Sequence, residues 1–191
     1  MNKHRMEAFT DGVVAILITI MILELHAPNG SDWAALQPVI PSLLAYVLSF
    51  VLLGIYWNNH HHMLQATDRI NGAILWANLH LLFWLSLVPF VTAWMGRNYD
   101  ASVPTALYGC VLIMCALAYT ILQNCIIKEE GRESRLAAAI GGDRKGFASL
   151  ILYASAIPLA FVRPWIADVL YLLVALTWLV PDRRIESRLH R

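Results

Sequence analysis

The sequence predicts an all-α membrane protein of six transmembrane helices with its N- and C-termini cytoplasmic. Three observations carry that prediction. Charged side chains are scarce, apolar residues fall in six long stretches, and Lys and Arg crowd the segments that would share one side of a bilayer. Of 191 residues, 59% are apolar and 14% charged, whereas a soluble domain carries about 25% charged residues. So few charges do not solvate a globular surface of this size, and lipid accounts for the deficit. The net charge of +1 leaves no basic face for nucleic acid.

A spanning helix needs roughly 20 apolar residues to cross a hydrocarbon core of about 30 Å. The first stretch covers about 7–26. It follows Lys3, His4 and Arg5 like a signal peptide, but Asp11 interrupts it early and Pro28 spoils the cleavage position after Ala27. A retained helix is expected instead. The second stretch, about 36–59, follows a loop of Pro28, Asn29, Gly30 and Ser31 and tolerates Pro38 and Pro41 near its start. The third covers about 70–95 and the fourth about 104–127, with Pro104 suited to a first helical turn. A charged stretch, 128–145, separates these from the fifth and sixth helices at about 146–162 and 164–180. Together they make one six-helix unit over residues 1–191. Cys110, Cys115 and Cys125 share one apolar run without CxxC spacing, and are expected as buried thiols.

Six spans place Lys3, Arg5, Arg69, Lys128, Arg132, Arg135, Arg144, Lys145, Arg183, Arg184, Arg188 and Arg191 on one side. Only Arg97 and Arg163 fall on the other. Positively charged loops stay cytoplasmic, so the crowded side faces the cytoplasm, and in a bacterium the membrane is the inner one.

Polar residues inside a membrane are costly and tend to mark function. The first helix holds Asp11 one turn inside its cytoplasmic end, Thr19 as the one hydroxyl beyond it, and Glu24 near the far end. At 100° per residue Ile16, Thr19, Ile20 and Leu23 share a face. That face is either packed core, with Thr19 bonded to its own helix's carbonyl, or a functional surface. His60, His61 and His62 end the second helix. Consecutive side chains diverge on a helix, so these three do not converge on one metal ion. Arg5, Asp11, His60, Asn78 and His80 lie at similar depth. They form one buried network, with Asp11 paired to Arg5 or His60, unless they scatter onto separate faces.

These residues carry a resemblance. Arg5, Phe9, Thr10 and Asp11 resemble the R-x-x-x-F-S-D signature of the transmembrane-protein-175 family of endolysosomal and prokaryotic potassium channels, with Thr10 in place of Ser. Ala15, Ile16 and Thr19 continue the match. So do Trp57 and His60 at the end of the second helix, and the run from Asn78 to Pro89, Phe90 and Thr92. The resemblance covers the first three helices by motif and the last three by hydropathy alone.

The resemblance implies a homotetramer whose first helices line a central potassium-permeable pore, with no enzymatic activity and no cofactor. It implies that the signature (Arg5, Phe9, Thr10, Asp11, with Trp57, His60 and Asn78) ties the first helix to the second and third. Ile16 matches the hydrophobic constriction, with Ile20 and Leu23 on the remaining pore-facing turns, and Thr19 matches the threonine associated with potassium selectivity. A ring of Ile16 would gate by excluding water. Independently of the resemblance, the charge of Glu24 near the outer mouth would concentrate cations. The sequence has no T-V-G-Y-G filter and no Arg-rich voltage sensor. The competing readings are a proton or weakly selective cation leak, a redox or metal protein using His60, His61, His62 and His80, and a scaffold docking through 128–145.

Overall fold

The structure is a computed structural model that describes residues 3–131, Ser134 and residues 144–179. Among these residues every regular element is helical. The elements are α1 (Lys3–Leu23), a 3-10 segment (Trp33–Val39), α2 (Ile40–Gln65), α3 (Gly72–Ser86), α4 (Val88–Arg97), α5 (Ser102–Glu130), α6 (Arg144–Ala160) and α7 (Pro164–Leu179). The expected cations Arg132, Arg135, Arg183, Arg184, Arg188 and Arg191 lie outside the described residues.

The helix ends follow local chemistry. The last turn of α1 tightens, with Glu24 N–H donating to Met21 and Leu25 N–H to Ile22, before Pro28 rules out continuation. The Asp32 side chain accepts from the Ala35 amide and opens the 3-10 segment, which carries the chain past Pro38 into α2. Asn71 caps α3 by accepting from the Ile74 amide at 2.9 Å. Gly131, at φ +96°, ends α5 in a backbone conformation that disfavours a side chain.

Helix bounds shift by a few residues throughout, and two differences are larger. The third stretch is broken after Ser86 into α3 and α4, because Pro89 has no N–H to continue the ladder and stands at the start of α4. The second stretch runs on past the three consecutive histidines to Gln65. Among the described residues four spans, Lys3–Leu23, Trp33–Gln65, Gly72–Arg97 and Ser102–Glu130, are long and apolar enough to cross a membrane. The last two helices are apolar but shorter. The 16 described residues of α7 extend about 24 Å.

The bundle is built around α5, which packs against α3, α4, α6 and α7. Where helices approach closely the residues are small: Ala118, Ala156, Ala160, Ala167 and Ala175 are buried, as is usual when backbones pack without a hydrophobic drive between them. Gly109 is the tightest case, since a Cβ there would overlap the phenol oxygen of Tyr171. That hydroxyl donates to the Thr105 carbonyl at 2.9 Å and joins α7 to α5. Cys115 is buried, while Cys110 and Cys125 are half-buried, and all three are free thiols. Large apolar side chains such as Leu44, Phe50, Phe83, Ile121 and Leu172 face outward. In water they would form an aggregating surface, and in lipid they are solvated.

Candidate functional site

Helix α1 packs against α2, α3 and α4 along one side only. Met6, Thr10, Val14, Leu17 and Met21 are buried at helical spacing. The opposite side has no neighbour among the described residues: Ile16 is 57% exposed, Ile20 42% and Leu23 75%, and Thr19 is also exposed.

Polar ties fix the rotation of α1 at its N-terminal half. His60, 3% exposed, places Nε2 2.8 Å from Oδ1 of Asn78. The Asn78 amide nitrogen then donates to the Thr10 hydroxyl at 3.0 Å. All three side chains are buried, so each needs the partner it has. This chain links α2, α3 and α1. One residue on, the Trp57 indole nitrogen donates to Asp11 at 2.8 Å. Residues 10 and 19 differ by nine positions, or about 180° at 100° per residue. Holding Thr10 in the bundle therefore turns Thr19 directly away from it.

The network differs in membership from the one expected. Asp11 pairs with Trp57, not with Arg5 or His60, and it is exposed in the single chain. Arg5 and Phe9 are exposed on the outer side of α1. His80 accepts from Trp84 within α3. It is two residues from Asn78, about 200° around the helix, which points it away from His60. His61 stacks on Trp57 and contacts Gln65. Among the described residues no group of three or more His, Cys, Asp or Glu could hold a metal ion.

Thr19 Oγ1 lies 3.0 Å from the carbonyls of both Ala15 and Ile16. The hydroxyl proton is thus directed into the helix backbone, which leaves oxygen lone pairs on the exposed side. At the far end of α1, Glu24 forms an ion pair with Arg97, the last residue of α4, at 2.6 Å.

The structure joins several polar groups that the sequence does not relate to one another. Ser49 lies 2.7 Å from Thr92 and 2.9 Å from Tyr108, a buried hydroxyl chain joining α2, α4 and α5. It ends where Thr92 donates to the Val88 carbonyl. Glu130 accepts from the amides of Asp68 and Arg69, and Glu129 from Asn71, so the α2–α3 connection is clamped to the end of α5. The charges of 128–130 therefore belong to a helix end and not to a free loop. Asp168 has an enclosed Oδ1 with no hydrogen-bond partner among the described residues; a lone acid in an apolar stretch is its sequence signal. Arg97 is legible in the sequence as an outer-side cation, but nothing in one dimension relates it to Glu24.

Comparison with known proteins matches residues 5–89 to the family model described as "Endosomal/lysosomal potassium channel TMEM175". A protein of Chryseobacterium sp. (strain P1-3) named as a potassium channel is 57% identical over 189 residues, covering 99% of this chain and 98% of that one. The Bos taurus protein named "Endosomal/lysosomal proton channel TMEM175" is 30% identical over 180 residues, which are 84% of this chain and 37% of the longer relative. Among solved structures, the crystal structure of a lysosomal potassium-selective channel TMEM175 homolog from Chamaesiphon minutus superposes with a TM-score of 0.79 at 26% identity, covering 94% of this chain and 97% of that one.

Proposed function

The chain belongs to the TMEM175 family of ion channels and is not an enzyme, and from that premise we propose that four copies assemble around a central potassium-permeable pore lined by α1. Membership gives the coarse activity, a potassium or proton channel with several membrane-embedded helices. The assembly and the pore-lining residues are our reading. Ile16 forms the constriction, Ile20 and Leu23 line the turns beyond it, and Thr19 supplies a ring of hydroxyl oxygens. The signature residues around Thr10 and Asp11 hold α1 to its own subunit. K+ is the permeant ion, and the protein uses no cofactor. The shorter α6 and α7 complete six spans, with both termini cytoplasmic, in the inner membrane.

The observation that carries this reading is the exposed stripe on α1. A helix of this hydropathy gains nothing from turning a lone hydroxyl toward lipid. A second copy of the chain, or a water-filled path between copies, gives that face a partner. An apolar ring of isoleucines resists wetting and therefore ion passage. Hydroxyl oxygens replace part of a cation's hydration shell, and K+ gives up that shell more readily than Na+.

Purified protein in a planar bilayer tests the reading. The reversal potential under a K+/Na+ gradient is expected to lie toward the potassium equilibrium potential, and native mass spectrometry is expected to give a tetramer. Absence of current, or a monomer that conducts, sinks it. A proton-conducting reading draws on the vertebrate relatives named as proton channels. It predicts a reversal potential that follows the pH gradient in the same bilayer.

A further inference from the structure

We infer that Arg97 sets the charge and the position of the carboxylate at the outer end of α1, and through it the cation field at the outer mouth of the pore. The inference rests on α1 lining that pore. Glu24 follows Leu23, the last residue of α1. The C-terminal end of a helix carries partial negative charge, so a carboxylate there is repelled unless a cation stands beside it. Arg97 Nη2 supplies one at 2.6 Å from Glu24 Oε2.

The guanidinium is well placed to do so. Arg97 is the last residue of α4, and a cation is favoured at that helix's own C-terminal end. The preceding Gly96 lies so close to α2 that a Cβ would come 2.7 Å from the Cα of Ser42. The backbone carrying Arg97 is therefore seated on α2 without room to shift. On the other side, Met21 buries the last turn of α1. Two fixed backbones thus hold a pair whose side chains are 51% (Arg97) and 43% (Glu24) exposed.

Such a half-exposed pair adds little to stability, but it decides the sign of a ring. Around a four-fold axis, four paired carboxylates present almost no net charge. Four bare ones would attract cations, and four bare guanidiniums would repel them. Glu24 alone was expected to concentrate cations; compensated by Arg97, it does so weakly. The outer mouth is then tuned near neutrality. The layer at Thr19 lies about 7.5 Å deeper, from five residues at 1.5 Å each, so selectivity there is set separately.

Single-channel conductance of the reconstituted full-length protein, measured with about 20 mM and about 1 M external KCl, tests this, because screening at the higher salt shrinks the Debye length to about 3 Å. At low salt Arg97→Gln is expected to raise inward K+ conductance about twofold and Glu24→Gln to lower it about twofold. Both effects vanish at high salt, and the double variant returns to the wild-type curve. The K+/Na+ permeability ratio stays unchanged throughout. If Arg97→Gln does not assemble, Glu24→Gln decides alone: reduced low-salt conductance supports the inference, and unchanged or increased conductance overturns it. Shifts of the same sign in both single variants, or shifts independent of salt, overturn it as well. A wild-type protein that carries no current would instead overturn the channel reading.

Discussion

The indole nitrogen of Trp57 donates to the carboxylate of Asp11 at 2.8 Å, across 46 residues of sequence. The contact lies beside the Asn78–Thr10 hydrogen bond, so adjacent residues of α1 are held by α2 and α3 respectively. The two ties together fix both the depth and the rotation of the first helix.

Trp57→Phe keeps an aromatic ring and removes the donor. We expect a loss of about 1 kcal/mol per subunit, in the range of a single hydrogen bond, seen as a lower melting temperature by fluorescence-detected size exclusion. The ion preference of the remaining channels should be unaltered. A changed K+/Na+ ratio at normal tetramer yield would mean that Asp11 faces the permeation path.

Asn78→Leu is expected to be more severe. It strands a buried His60 nitrogen and the Thr10 hydroxyl together, at about 1–3 kcal/mol for each unsatisfied group. Tetramer yield should drop sharply. Wild-type thermal stability in this variant would show that water replaces the amide.

Ile16→Asn places a polar side chain in the proposed constriction. Resting conductance should rise, because an apolar neck blocks ions by staying dry. The same change at Leu23 should have a smaller effect. The reverse ranking would put the narrowest point near the outer end of α1.

Thr19→Val keeps the shape and removes the oxygen. Because the hydroxyl proton already points to the Ala15 and Ile16 carbonyls, the oxygen lone pairs are left on the exposed face, as the proposed cation-facing layer requires. The variant should show a lower K+/Na+ permeability ratio, and Thr19→Ser should retain most of it. Full potassium preference in an assembled Thr19→Val channel would assign the hydroxyl to its own helix only.

Reporter fusions at Arg97 and Arg163 should read as extracytoplasmic and one at Gly142, which lies outside the described residues, as cytoplasmic. A cytoplasmic signal at Arg97 would contradict both the twelve-to-two asymmetry of Lys and Arg and an outer location for its pair with Glu24.

By itself the sequence determined the features that depend on local composition. Helicity follows from long apolar runs, because a backbone in lipid must pair its own polar groups. The shared face of Ile16, Thr19, Ile20 and Leu23 follows from the helical repeat, and the family from the run of Arg5, Phe9, Thr10 and Asp11. The tertiary structure decided who meets whom. Asp11 went to Trp57 and His80 to Trp84, while Glu24 found Arg97 and Thr10 found Asn78. Depth along a helix can be counted from a sequence, but azimuth between helices cannot. Azimuth is set when buried faces pack, and a buried polar atom then bonds with whatever donor or acceptor that packing brings within about 3 Å.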